Sequence, residues 1–334
     1  KREKKLEWLD KHTISTLEFD RIVPDENATW LNQTNNDFDE LLPVLPRNTK
    51  ESIFETSTMG ASSNKDEWVF DVDLSNLKKM MKYYISTYDN ILKKYKSEHS
   101  KIKNIIQWVD KKIKWSTITI QYLKQKRAIV YSEDNIKSTL YRPFVIKYQY
   151  YGKGITERPR KFLDVFKNFQ ENRLISFPNP STNIEFSTIA TDKIIDYSCI
   201  SSSQNIPLWL YDDECKKQSN ITKYGLELFC NHYDNKKITR EDIFYYAYAM
   251  FSDSKYEEKY RHNLRRDFPR IPLAKNFEKY SDIGRKLFDL HCNFNEVKEY
   301  GLKRIDKIAK KNKTKLLLKK EKDDIKILID NITT

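Results

Sequence analysis

The sequence predicts an α+β fold: a β-rich region followed by a helical subdomain, with a long amphipathic helix near residues 74–97. Three observations predict it. Leu74, Leu77, Met81, Tyr84, Tyr88, Ile91 and Tyr95 recur at alternating steps of three and four, the period of one helix face. From Lys114 to about Leu210, short β-rich stretches crowd the chain between turn residues. From Asn220 onward helical periodicity returns, and Pro269 and Pro272 close one of its helices.

Taken in order, Lys1 to about Pro46 reads as irregular. Leu6 and Leu9 suggest a short helical start, Phe19, Trp30 and Phe38 are aromatic anchors, and Pro24, Pro43 and Pro46 interrupt the segment. It reads as a connector that wraps a neighbouring domain. In the long helix, Lys78, Lys79, Lys82, Lys93 and Lys94 take the face opposite the apolar stripe, where they are either solvated or touch phosphate. About three heptads argue for packing on a core over a coiled coil.

Strands are expected at Ser116–Ile120, Ala128–Tyr131, Phe144–Tyr151 and Asn183–Ile189, with turns at Gly152–Gly154 and Phe177–Ser181. Beyond them Thr239 is an expected N-cap, with Asp242 placed to favour the positive helix end. Ile243, Ala247, Met250 and Phe251 form the apolar face of that helix. A second helix stacks Tyr256, Tyr260 and Leu264, with Arg261, Arg265 and Arg266 outside, and a third runs from about Ser281 to Phe294. The tail from Lys303 to Lys322 is strongly basic and expected to be helical. The expected divisions are a connector at 1–60, a mixed α/β region at 61–215, a helical subdomain at 216–300 and a basic helical tail at 301–334.

Composition narrows the function. With 334 residues, 39% hydrophobic and 13% aromatic, the chain has material for a packed core and is not a disordered segment. A formal net charge of +13 suits a polyanionic partner, since Lys and Arg release counterions from phosphate; AT-rich coding raises lysine content with no such demand. Cys199, Cys215, Cys230 and Cys292 form no C-x-x-C pair and read as reduced thiols, not as a zinc site. No apolar run approaches membrane-spanning length.

Catalytic motifs are missing. Asn179-Pro180-Ser181 is the nearest approach to the (Asp/Asn)-Pro-Pro-(Tyr/Phe) loop of an adenine methyltransferase, but it lacks the second proline and the aromatic. A phosphate-binding G-x-x-x-x-G-K-[ST] loop is absent. Pro24-Asp25 has no E-x-K partner at a sensible distance, and Glu214-x-Lys216 reads as a charged loop. The histidines are scattered, and His291 reads as a packed helix residue. The chain alone is expected to be no enzyme and to hold no metal or cofactor.

Several ordered strings resemble the Type ISP restriction-modification enzymes. Ile238-Thr239-Arg240-Glu241-Asp242-Ile243-Phe244-Tyr245-Tyr246-Ala247-Tyr248-Ala249 looks like the family's "I-T-x-x-D-I-F-x-Y-x-Y-A" block. Asp267-Phe268-Pro269-Arg270-Ile271-Pro272-Leu273 and Gly284-Arg285-Lys286-Leu287 continue the resemblance. Earlier, Gly60 with Asn64-Lys65-Asp66-Glu67-Trp68 resembles "G-x-x-T-N-R-D-x-W", and Tyr141-Arg142-Pro143-Phe144 matches "Y-R-P-F". Lys65 stands where the family commonly has Arg, which keeps the charge and loses the bidentate fork. The blocks span about residues 1 to 300.

The resemblance implies a C-terminal target-recognition domain, with 1–60 as the exit of a methyltransferase domain and 61–215 as the recognition region. It implies double-stranded DNA as partner, alongside methyltransferase and helicase–nuclease domains of the same polypeptide. S-adenosylmethionine, ATP and Mg would bind in those other domains. A monomer in the bacterial cytoplasm, in phage defence, is expected. Because the first residue is Lys1 and the family's segment after the basic tail is missing beyond Thr334, the chain is expected to be a piece of something larger.

Base readout needs Arg, Lys, Asn or Gln projected into a groove. The candidates are Ser63, Asn64 and Lys65, which either approach DNA or cap the structure around Trp68; Arg142, which suits DNA contact or a structural salt bridge; Lys153 in the glycine turn, with Arg158, Arg160 and Lys161 after it; and Gln204 and Asn205. Arg265, Arg266 and Arg270 hold phosphates or pair with Asp267, Glu257 or Glu258. On this division the sheet region reads bases while the helical region and tail grip phosphate. The rival classes are a basic scaffold for acidic protein partners and a stand-alone nuclease.

Overall fold

The computed structural model describes residues 2–24, 28–31, 34, 36–47, 51–98, 113–157, 165–166, 170–180, 182, 184–298, 301, 316–321, 324–329 and 332–333. They form two compact units, Lys1–Phe294 and Asn295–Thr334.

The first unit opens with α1 (Arg2–Lys11), an exposed helix in which Lys11 pairs with Glu7 at 2.8 Å. Then come β1 (Leu42–Pro43), β2 (Thr58–Met59), the short helix α2 (Asp66–Val69), β3 (Phe70–Asp71) and the long helix α3 (Leu74–Glu98). In α3 the expected stripe is the buried one: Leu77, Met81, Tyr84, Tyr88 and Ile91 pack with Ile85 and Leu92 against a core of their own. Leu74 instead stays at the exposed end of the helix.

Next comes α4 (Thr117–Lys124), where the sequence predicted a strand at Ser116–Ile120. The β-branched run Thr117-Ile118-Thr119-Ile120 misleads because local β preference yields to burial. Ser116 is an extended N-cap whose carbonyl receives the Ile120 N–H at 3.0 Å, and Thr119 faces the core at 0% exposure. Ala128–Tyr131 carries no strand either, and among the described residues of Asn183–Ile189 only Ile189 belongs to one.

The strands that do form are β4 (Ile136–Arg142), β5 (Val145–Tyr150), β6 (Leu174–Phe177), β7 (Ile189–Thr191), β8 (Ile194–Ile195), β9 (Gln204–Pro207), β10 (Trp209–Tyr211) and β11 (Lys217–Ser219). They build two four-stranded sheets, ordered β2-β9-β6-β7 and β3-β5-β4-β8. The first is antiparallel throughout; in the second, β4 and β8 run parallel, pairing Thr139 with Ile194 and Leu140 with Ile195. Ala61, Leu140, Leu174, Ile189, Ile194 and Ile195 share one apolar cluster, so residues of both sheets pack together.

The helical layer follows: α5 (Lys223–His232), α6 (Arg240–Phe251), α7 (Ser254–Leu264), β12 (Arg270–Ile271) and α8 (Phe277–Cys292). Thr239 caps α6 as expected: its hydroxyl accepts the Asp242 N–H at 3.2 Å while the Asp242 carboxylate accepts the Thr239 N–H at 3.0 Å. The helix has more than one apolar face. Every residue from Ile243 to Phe251 is buried, because α8, the sheet β2-β9-β6-β7 and α7 surround it. Burying each large side chain contributes roughly 1.5–3 kcal/mol, so α6 is the axis of this core. The resulting architecture is α+β.

The second unit holds β13 (Leu316–Glu321), β14 (Asp324–Ile329) and β15 (Ile332–Thr333), an antiparallel sheet that pairs Leu316 with Ile329 and Ile329 with Ile332. Residues 316–333 were expected to continue a helical tail. The β-branched residues Ile325, Ile327, Ile329 and Ile332 favour the pleated surface instead. Among the described residues, no helix is long and apolar enough to cross a membrane.

Candidate functional site

Three segments far apart in sequence meet at one open depression of about 440 Å³, lined by Ser62, Ser63, Asn64, Asp66, Glu67, Lys114, Asp196 and Ser198. The loop before α2 reaches it because Ala61 bridges Asp196 in parallel register, the Ala61 N–H donating to Ile195 O at 3.2 Å and the Tyr197 N–H to Ala61 O at 2.8 Å. Gly60 permits this approach. A Cβ there would stand 2.7 Å from the backbone of Asp196 and Tyr197.

At the end of β4, Arg142 Nη1 donates to Asp196 Oδ1 at 2.7 Å and to the carbonyl of Tyr141. Its guanidinium lies 3.9 Å from the centre of the Tyr141 ring, and Lys147 Nζ stands 4.0 Å from that centre. The Tyr141 hydroxyl donates to Asp66 Oδ2 at 3.1 Å, and Ser63 Oγ donates to the other oxygen of the same carboxylate. The hydrogen bonds of Arg142 with the described residues all leave from Nη1, and its side chain keeps 37% of its exposure. Nη1 is fixed, and Nη2 and Nε bond no described residue.

Asp196 is almost wholly buried, and its carboxyl is pushed up to about 6 by that burial and then by the Asp66 carboxylate. The Ser198 N–H and Arg142 oppose the shift, the N–H donating to Asp196 Oδ1 at 3.0 Å. A carboxylate this buried is tolerable because of the cation it holds. The sequence analysis missed Asp196. Its only sequence signal is an isolated acid behind the apolar pair Ile194-Ile195.

The structure sorts the expected residues. Ser63 is buried and orders the loop, while Asn64 stands exposed on a left-handed φ of 54° with Oδ1 accepting from Ser62 Oγ at 3.3 Å. Lys65 is corrected. It is wholly buried, its ammonium donating to Thr119 Oγ1 at 2.8 Å and to the Tyr84 hydroxyl at 3.3 Å. Burial lowers its pKa to about 7.

Gln204 and Asn205 are also corrected as surface readers, since both are buried in the interior strand β9. Gln204 Oε1 accepts from Ser57 at 3.1 Å, and Asn205 Nδ2 donates to the Thr58 carbonyl at 3.0 Å. Both hold the strand that leads into the depression. Lys153 is exposed in the Gly152–Ile155 turn, as expected. Arg158, Arg160 and Lys161 lie outside the described residues.

Arg265, Arg266 and Arg270 belong to the helical layer. Arg265 pairs with Glu185 at 3.2 Å and Arg266 donates to Thr29 at 3.4 Å. Arg270 donates to the Asp39 carbonyl at 2.9 Å, lies 3.6 Å from that residue's carboxylate, and sits over the Phe38 ring. Arg265 and Arg270 thus pair with Glu185 and Asp39 where Asp267, Glu257 or Glu258 were expected, and Asp267 is bound by Arg47 at 2.7 Å. Among the described residues, no group of three His, Cys, Asp or Glu side chains is placed to hold a metal ion.

An α+β scaffold that presents a pinned arginine beside an open polar depression has the form of a recognition domain. The model of the Type ISP C-terminal specificity domain matches residues 52–334, and the chain belongs to that family. Among solved structures it is similar to the cryo-EM DrdV–DNA complex, with a TM-score of 0.79 and 30% identity over 93% of this chain and 31% of that one. It is also similar to a nuclease-deletion mutant of the Type ISP restriction-modification enzyme LlaGI in complex with a DNA substrate mimic, with a TM-score of 0.72 and 29% identity over 88% of this chain and 27% of that one. The ATP-dependent Type ISP restriction-modification enzyme LlaBIII bound to DNA gives a TM-score of 0.69 and 28% identity over 83% of this chain and 18% of that one. The chain thus spans less than a third of the length of these solved chains. No curated protein matches it.

Proposed function

We propose that this chain recognises double-stranded DNA by sequence and positions a separate adenine-N6 methyltransferase, with its helicase–nuclease, on the site it reads. The observation that carries this reading is the Arg142 fork, held by Asp196 at 2.7 Å through Nη1, with Nη2 and Nε bonded to no described residue. The three solved relatives named above are described as DNA-bound, so such a fork has a natural target in paired acceptors.

The geometry favours recognition for physical reasons. Asp196 and the Tyr141 ring fix the guanidinium before DNA arrives, which reduces the side-chain freedom lost on binding. Nη2 and Nε then remain for guanine O6 and N7, or for two phosphate oxygens, in the bidentate pattern that lysine does not offer. Asn64 adds an exposed amide at the same rim, and Lys147 adds charge. In this reading the chain contributes binding and orientation and no catalytic group. S-adenosylmethionine, ATP and magnesium would act from other domains of a longer polypeptide, one copy per enzyme, in the bacterial cytoplasm.

Selection of bound sequences from random duplexes tests the reading. An enriched asymmetric motif of several base pairs supports it. Capture of acidic proteins with no duplex binding at moderate salt would favour a scaffold, and magnesium-dependent cleavage by the purified chain would favour a nuclease.

A further inference from the structure

The outer face of α3 is a basic surface that the depression does not include. From Lys79 to Ser97, the exposed residues are Lys79, Lys82, Tyr83, Ser86, Asn90, Lys93, Lys94, Lys96 and Ser97. All carry a hydrogen-bond donor, and none carries a carboxylate. Two acids stand near the face: Glu133 is bound by Lys78 at 2.6 Å and lies near Lys82, and Asp89 is half-buried beside Lys93 and Lys96. Lys82 also lies 5.3 Å from the centre of the Tyr131 ring. Lys79, Lys93 and Lys94 make no ion pair with a described residue.

This face is continuous with the depression. Trp68 follows Asp66 and Glu67 in α2, and its ring stacks on that of exposed Tyr83 at 6.3 Å and 12° between planes. Tyr84, one residue on, donates to the carbonyl of Lys114 at the depression's wall at 2.8 Å. From Lys79 to Lys94 the helix rises about 22 Å, close to the length of six or seven base pairs of duplex.

We propose that the outer face of α3 is a phosphate track that grips duplex DNA flanking the base pairs read at Arg142 and the depression beside it. The proposal rests on the DNA-recognition reading above and extends it to DNA outside the recognised sequence. Charge decides the occupant. A row of lysines, hydroxyls and amides without an acid matches a regularly spaced polyanion, and Tyr83 is the one exposed aromatic among them.

The test compares the chain with a variant carrying Lys79→Gln, Lys82→Gln, Lys93→Gln and Lys94→Gln. A charge-matched control carries Lys236→Gln, Lys237→Gln, Lys275→Gln and Lys279→Gln, four exposed lysines of the helical layer. Affinity is measured against salt on two duplexes, one trimmed to the enriched motif and one extended by about ten base pairs on each side. Wild type is expected to bind the extended duplex more tightly. The α3 variant should lose that advantage and lower the salt slope by about 3 to 4, at about 0.9 per released phosphate contact, while enriching the same motif. The control should keep both the advantage and most of the slope. An unchanged slope in the α3 variant, or an equal loss in the control, overturns the track and leaves DNA recognition standing. A wild type that binds no duplex overturns recognition itself, and the track with it.

Discussion

The ammonium of Lys65 lies 2.8 Å from the hydroxyl of Thr119, wholly buried, with no described carboxylate bonded to it. The Thr119 hydroxyl in turn donates to the Gly154 carbonyl at 2.8 Å, so the lysine anchors a chain of donors inside the core. Burial lowers its pKa from 10.5 to about 7.

That shift predicts a pH dependence of stability. Below about 7 the ammonium is charged in both states and the full cost of burying it is present. Between about 7 and 10.5 the unfolded chain binds more protons, so this group's contribution to stability rises with pH. Lys65→Met removes the burial cost and leaves Thr119 and Tyr84 one donor short. Its stability relative to wild type, from denaturant midpoints, should fall by a few kcal/mol between pH 7 and 10. A difference that stays constant with pH would show that Lys65 keeps its ordinary pKa.

Arg142→Ala should cost on the order of 1–3 kcal/mol on the selected site and less on random duplex, compressing the ratio of the two affinities. Arg142→Lys should restore affinity for random DNA but not the ratio, because it keeps charge without the fork. Competition binding at fixed salt reads both. Equal losses on both DNAs would assign Arg142 to the phosphate backbone.

Sequence preference should also depend on pH. The Asp196 carboxyl sits at about 6, above its ordinary 3.8, so as pH falls through 6 it takes up a proton and its hold on Arg142 weakens. The ratio of selected to random affinity should therefore drop between pH 7.5 and 5. Asp196→Asn should flatten that profile at the low value. A wild-type ratio constant over this range would mean that the charge of Asp196 does not set the fork.

Gly60→Ala tests the floor of the depression. The added methyl would meet the Asp196–Tyr197 backbone at 2.7 Å, and main chain cannot rotate away as a side chain can. A loss of about 1–3 kcal/mol is expected from overpacking, read by thermal unfolding. Preference for the selected site should fall in the same variant, since Asp196 moves with its backbone.

Much of the helical architecture was legible in the sequence. The three–four spacing in α3 and the Thr239/Asp242 cap are local signals, and each appears where the spacing places it. Ser116–Ile120 was not legible, because four β-branched residues favour a strand locally while the core requires Thr119 on a helix. The site was half legible. Asn64 stands exposed and Arg142 half-buried beside the depression, but Lys65, Gln204 and Asn205 read as surface donors and are buried ones. Polar residue type is visible in sequence, whereas the depth at which a side chain is held depends on contacts from far along the chain.

Those distant contacts have a consequence for how the domain is made. Tyr141 and Asp66 are 75 residues apart, and Arg142 and Asp196 are 54 apart. Closing such loops carries an entropic cost that no local element repays, so the depression should be among the later features to form as the chain folds. On the ribosome, Arg142 would emerge well before its counter-charge. A nascent chain that stops short of Asp196 would hold this arginine without a partner, so the capacity to discriminate would appear only once that later segment is in place.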